Sequence, residues 1–306
     1  MDTRQIEYIL QIAEENNITK AAEKLFITQS ALNQQLLKLE KELGTPLFHR
    51  SRTNWRLTEA GEIYIEGAKA ALQIKNTTYN RIYDVVSARK GHLTIGLTPG
   101  RGLRMFTSIY PELHRSFPNL DVRPIEMRVR AQQDAIAKGD IDVGLMTLTQ
   151  KDQTSDTYYP LKQEELVLII PSGHPLAAKA APSGEPLTTL DLTELRYEPF
   201  VLMDKTSTLR SSCDLLFEKA GFAPNILFET NNTSGIAAMV QSTLCCGIIP
   251  RYYTLGLTEG VACFSLPERP SWEIVISCQK NAYLNSGARE FIRLAREYWE
   301  NSAPLF

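Results

Sequence analysis

An α/β protein with an all-helical head and one long connecting helix is what this 306-residue sequence predicts, and three observations predict it. Apolar residues recur at helical spacing through roughly the first ninety positions. A seven-residue repeat, Ile65, Leu72, Tyr79 and Val86, runs along the second half of that region. Beyond Gly91 short β-prone runs alternate with helical stretches, the order that builds a sheet covered by helices. A hydrophobic content of 43% and a charged content of 22% supply ample material for a core, in a length that suits two or three domains. No run of about eighteen apolar residues is present, so no membrane contact is expected. The start, MDTRQIEYIL, lacks the basic end and apolar centre of a signal peptide, and a cytoplasmic location is expected.

Residues 2–15 place Ile6, Ile9, Leu10 and Ala13 at helical spacing, a first helix with one apolar face. From Ile18 to Leu43 two short helices follow, joined tightly at Phe26-Ile27. Ala21 and Ala22 in the first of them are small enough for another helix to cross closely. In the second, Leu32, Leu36, Leu39 and Leu43 form a stripe for burial. Thr28 stands before it as an N-cap, and Gln29, Ser30, Asn33, Gln34 and Lys38 fall on the opposite face. Amide and hydroxyl groups near the start of an anchored helix are what reading base edges in a major groove requires. Periodicity alone fits a plain surface helix pair equally well. The next segment shifts that balance. GTPLFHRSRTNWRLTEAG gives a turn and a short β hairpin, or wing, carrying Arg50, Arg52 and Arg56, suited to phosphates. From Thr19 to Leu57 seven basic side chains face three acidic ones, in a chain whose net charge is −2. Three helices and the wing make a winged helix-turn-helix over 1–58.

Thr58 is placed to cap one long helix, and 59–90 reads as a linker. Its repeat at Ile65, Leu72, Tyr79 and Val86, with Ala68 and Ile82 as companions and Lys75 as an interruption, is coiled-coil-like. Next come strand Leu93–Leu97, helix Leu103–Arg115, a strand within PNLDVRPIEM, helix Ala131–Lys138 and strand Val143–Met146, a βαβαβ order implying a parallel sheet. A second unit begins near Gln163, with strands Leu166–Ile170, Phe200–Met203, Ile226–Glu229 and Gly247–Ile249 and helices Leu209–Ala220 and Gly235–Ser242. Strands Val261–Leu266 and Glu273–Cys278 lead back to the first, and Gly287–Trp299 is the last helix.

The segments AAEKLFITQSALNQQLLKLEKELGTPLFHR and LTEAG, with GDIDVGL, PSGHPLA and CCGIIP further on, make the whole chain resemble the LysR-type transcriptional regulators. Asn33 and Gln34 depart from that pattern, which usually has Ser and a basic residue there, and Leu37 stands where a polar residue is usual. The resemblance implies a winged helix-turn-helix, a long linker helix, and two Rossmann-like α/β lobes similar to periplasmic solute-binding proteins. The effector-sensing part would span 91–306, lobe one being 91–162 and 267–306 and lobe two 163–266. Thr28, Gln29, Ser30, Asn33, Gln34, Lys38, Arg50, Arg52 and Arg56 would contact double-stranded DNA at a pseudo-palindromic promoter site. Ile65, Leu72, Tyr79 and Val86 would pair two chains, giving a homodimer or homotetramer, and RNA polymerase would be a further partner. A small-molecule effector would lie between the lobes against Thr98, Gly100, Arg101, Val129, Thr147, Thr206, Ser207 and Asn232. Several relatives carry a hydroxyl where this chain has Gly100 and Val129. Arg101, Arg128, Arg130, Lys205 and Arg210 lie close by in sequence and suggest an anion.

No cofactor or metal is expected. His49, His92, His114 and His174 are scattered, and no GxSxG, P-loop or GxGxxG occurs, so the chain does not read as an enzyme. Cys213, Cys245, Cys246, Cys263 and Cys278 follow no metal spacing and read as reduced, buried thiols. Two other readings remain open on these residues: a regulator of the same type without small-molecule response, and an α/β solute-binding or enzymatic protein with an N-terminal dimerisation arm.

Overall fold

The chain divides into two units, Met1–Ala88 and Arg89–Phe306, in a computed structural model that describes residues 2–51, 55–86, 89–182, 184–255, 257 and 259–301. In the first unit side-chain caps set the helix starts. Asp2 accepts from the Arg4 N–H to open α1 (Thr3–Glu15), and Asn17 accepts from the Thr19 and Lys20 N–H groups to open α2 (Ile18–Lys24). Phe26 makes the turn in the left-handed region, with φ 54°, and Thr28 accepts from the Ala31 N–H to open α3 (Gln29–Leu43). Ile6, Ile9 and Ile12 of α1, Ala21 and Ala22 of α2, and Leu32, Leu36 and Leu39 of α3 meet in one core. Leu43 does not join them. It is half exposed, because the helix has already left that core where Gly44 ends it.

The wing is a short antiparallel pair, β1 (Phe48–His49) and β2 (Arg56–Leu57). Thr58 then caps α4 (Glu59–Val85) through the Gly61 N–H. Gly61 is needed for closeness: a Cβ there would lie 2.1 Å from the Leu47 carbonyl oxygen. The heptad reading expects one continuous apolar seam on this helix, and the structure divides it. Ile65 and Leu72 pack half-buried against the core of the head, beside buried Tyr64 and Ala68. Tyr79, Ile82, Val85 and Val86 stand exposed. The first half of α4 is a core helix of its own domain, which a seven-residue period cannot distinguish from a seam.

In the second unit β3 (Lys90–Leu97), α5 (Arg101–Ser116), β4 (Asn119–Glu126), α6 (Val129–Lys138) and β5 (Val143–Leu148) form the expected βαβαβ, with β3 between β4 and β5 and parallel to both. The sheet is not purely parallel. β6 (Thr157–Pro171) begins nine residues before the predicted Leu166 and continues through both halves of the unit. The remaining elements are β7 (Pro199–Met203), α7 (Thr208–Ala220), β8 (Asn225–Thr230), α8 (Thr233–Gln241), β9 (Gly247–Pro250), β10 (Val261–Ser265), β11 (Ser271–Cys278) and α9 (Ser286–Glu300). β11 runs antiparallel to β5 and to the first part of β6, while the later part of β6 pairs with β9 and β10. β7 and β8 pair in parallel, and Phe200 bridges to Cys246. Leu93, Ile95, Val143 and Ile274 pack on α5 and α9 in one half, and Leu166, Phe200, Leu209 and Phe264 form the core of the other. No helix among the described residues is long and apolar enough to cross a membrane.

Candidate functional sites

The outer face of α3 is available. Thr28, Gln29, Ser30, Gln34 and Lys38 are exposed and Asn33 is half-buried, while Leu32 and Leu36 anchor the helix from behind. Thr28 has a local task already: its hydroxyl holds the Ala31 N–H and lies 3.1 Å from the Ser30 hydroxyl. Arg50 differs from the sequence reading more sharply. Its guanidinium pairs with the buried carboxylate of Glu40, which also accepts the Leu47 N–H at 2.8 Å, and it lies over the Trp55 ring at 5.5 Å. Arg50 therefore ties the wing to α3, and Arg56 is left exposed for other contacts. Arg52 lies outside the described residues.

In the second unit Thr98, Gly100, Arg101, Val129, Thr147, Thr206, Ser207 and Asn232 all line one cleft of about 390 Å³. That volume is in the range of small-molecule pockets. Seven of the eight follow a strand or start a helix where strand ends open between the two halves, and Thr147, expected just after its strand, is instead the penultimate residue of β5. Four helices, α5, α6, α7 and α8, begin at this cleft. Ser207 and Asn232 cap α7 and α8 with their side chains, whereas Gly100 and Arg128 give α5 and α6 no side-chain cap. First-turn N–H groups and helix dipoles favour an anion at such a place. Thr208 donates to the Thr147 carbonyl at 3.1 Å, one direct link between the halves.

The arginines are not equivalent. Arg101 is 5% exposed and pairs with Glu164, which is 0% exposed and also accepts from Trp272 Nε1 at 2.7 Å and the Tyr252 N–H at 3.0 Å. The rings of Tyr252, Tyr253 and Trp272 surround the guanidinium at 5.6–5.7 Å. Arg210, suggested for an anion, is instead buried on α7 and held by Asp214 at 2.7 Å, Glu229 at 2.6 Å and the Met203 carbonyl at 3.0 Å. Arg128 faces the cleft from the start of α6 and donates through Nη1 to Asp204 at 2.7 Å and to Thr206. Its side chain is 43% exposed and that of Asp204 26%, so the pair is worth about 0.2–1 kcal/mol. Burial pushes the Asp204 carboxyl up, but hydrogen bonds from Thr206 and Arg128 outweigh it and hold the group below its usual value. Arg130 and Lys205 are exposed and do not line the cleft.

Sequence reasoning missed Asp204, Tyr253 and Trp272. Tyr253 lines the cleft beside Thr233, and burial pushes its phenol up while Arg101 pulls it partly back. Its position just past CCGIIP was the signal to follow. All five cysteines are free thiols, and Cys213 and Cys246 are each pushed up to about 12, first by burial. A thiolate is the reactive form, so these two are chemically quiet. Among the described residues no group of His, Cys, Asp and Glu could hold a metal ion.

Residues 3–62 match the family model described as "Bacterial regulatory helix-turn-helix protein, lysR family", and residues 87–300 match the "LysR substrate binding domain". The HTH-type transcriptional regulator YcgK of Bacillus subtilis is 29% identical over 309 residues, covering 97% of this chain and 94% of that protein. Among solved structures, a full-length OxyR variant from Pseudomonas aeruginosa superposes with a TM-score of 0.69 at 21% identity, covering 99% and 96% of the two chains. CbnR complexed with its target DNA superposes with a TM-score of 0.66 at 20% identity, covering 97% and 100%.

Proposed function

The chain belongs to the LysR family of DNA-binding transcriptional regulators with an effector-binding domain, and from that premise we propose that a small anion bound in the cleft controls how α3 engages a promoter. The observation that carries this reading is the meeting of four helix N-termini at one cavity, two of them without a side-chain cap. Carboxylate, phosphate or sulfate groups would find first-turn N–H donors at the start of α6, and at α5, whose Gly100, Arg101 and Gly102 N–H groups are bonded within the chain, a favourable dipole. The hydroxyls of Thr98, Thr147 and Thr206 would complete the contacts. An open cleft of about 390 Å³ supports this over a regulator whose lobes serve assembly alone.

On the DNA side, Gln29, Ser30, Asn33 and Gln34 would meet base edges, and Lys38 and Arg56 phosphates. Asn and Gln can pair bidentately with adenine. The exposed Tyr79, Ile82 and Val86 on and just past α4 would be covered by a second copy, setting two recognition helices on a pseudo-palindrome. Arg56→Ala is expected to weaken binding to every sequence and to reduce the salt slope by about one, whereas Gln29→Ala is expected to change sequence preference. Gel shifts across salt concentrations and a randomised operator library read these separately. For the cleft, calorimetric titration with small carboxylates and sulfate tests the anion. Binding that persists when Thr147→Val and Thr206→Val are combined would refute the site.

A further inference from the structure

The cations of the cleft are already matched by carboxylates of the chain itself. Arg101 meets Glu164, Arg128 meets Asp204, and the Gly100 N–H at the start of α5 meets Glu126 at 3.3 Å. The first of these cannot be exchanged for a ligand, because Glu164 and Arg101 are both buried and enclosed by three rings. The second can. Asp204 is fixed without its partner: the Thr206 N–H and hydroxyl donate to its Oδ1, and its own N–H donates to the Thr230 carbonyl at 2.8 Å. Arg128 is the long, half-solvated member, and it holds both Asp204 and Thr206 through the single Nη1. A ligand carboxylate or sulfate offers the guanidinium fork two parallel hydrogen bonds in place of that one-nitrogen contact. Arg128 also lines the cavity, at the start of α6, while Asp204 and Thr206 belong to the opposite half.

We propose that Arg128 is the charge-reading, specificity-determining residue of the cleft and that Asp204 is its built-in competitor, so that an anion binds by taking the guanidinium over from Asp204. The strength of this internal pair then sets the ligand concentration at which the cleft fills, and its exchange changes the link between the two halves. A neutral ligand cannot displace a carboxylate from an arginine, so the pair also filters by charge. The inference rests on the cleft being an anion site.

The test uses the full-length protein and sodium sulfate, titrated calorimetrically at constant ionic strength against chloride. Asp204→Asn removes the competitor's charge and is expected to tighten sulfate binding about fivefold, the equivalent of an exposed ion pair. Arg128→Gln is expected to weaken it at least about tenfold, the loss of a charge-assisted bidentate contact, with partial rescue by Arg128→Lys. Sulfate bound equally by the wild type and both variants would overturn the proposal and leave the anion site standing. Weakening by Asp204→Asn as large as by Arg128→Gln would overturn it too, since Asp204 would then position the arginine and not compete for it. No heat from the wild type or any variant would remove the anion site itself, and the proposal with it.

Discussion

Two arginines at one cleft, Arg101 and Arg128, each answer a carboxylate of their own chain, and burial gives them opposite roles. Arg101 and Glu164 have lost nearly all solvent, and their charges are offset by each other, two further N–H donors and three aromatic rings. Breaking such a pair strands a charge in a low-dielectric interior. Arg128 keeps much of its hydration, and Asp204 Oδ1 keeps its two Thr206 donors when the arginine leaves, so separating this pair costs far less. The same functional groups therefore build a fixed strut at one edge of the cleft and an exchangeable clasp at another. Arg101 stands at the start of α5, and Glu164 sits on β6 where that strand passes from one half of the unit to the other. The strut thus fixes the cleft wall to the strand shared by both halves.

The largest effect expected from this contrast is on the strut. Glu164→Gln leaves the Arg101 guanidinium buried without a counter-charge and should cost about 3–5 kcal/mol in urea unfolding. Arg101→Met should cost a similar amount for the mirror reason. The double variant should recover most of the loss, because neither charge is then stranded. Additive losses in the double variant would show that the two side chains are not coupled, and the contrast with Arg128 would fail. Arg210→Met is expected to fall between the two cases, at about 2 kcal/mol, since the arginine is buried but its partners Asp214 and Glu229 are 53% and 34% exposed and rehydrate. A loss as large as that from Glu164→Gln would mean that burial of one partner suffices.

Little of this contrast could be read from sequence, although the positions could. The eight residues assigned to the cleft share a local signature, a strand end or a helix start, and local signatures survive without knowledge of the fold. The stripe of Leu32, Leu36 and Leu39 and the cap at Thr28 are legible on the same ground. Partners are another matter. Asp204 lies 76 residues from Arg128, and Glu164 lies 63 from Arg101. Nothing in the run Gln163-Glu164-Glu165 marks its two carboxylates as fully buried, so the sequence places no strand before Leu166. The split of the α4 repeat was hidden similarly: Ile65 and Leu72 have the period of a seam, and only the tertiary position of Tyr64 and Ala68 reveals that the head claims them.

The smallest effect belongs to the clasp. Asp204→Asn should lower stability by at most about 1 kcal/mol at low salt, and 0.5 M sodium chloride (roughly a 4 Å screening length) should erase most of it. The pH dependence follows from the direction of the Asp204 shift. Its folded value is depressed, so the contribution is fully present above the unfolded carboxyl value of about 3.9 and disappears as pH falls through the folded one. Wild type and variant should therefore differ by a constant amount from about pH 5 to 8 and converge below about pH 4. The amide oxygen introduced by Asp204→Asn still accepts from Thr206, so the turn into α7 should survive and the difference should report the charge alone. A deficit that persists at high salt and low pH would mean that Asp204 acts through the turn, and Arg128 would then have no competitor to surrender.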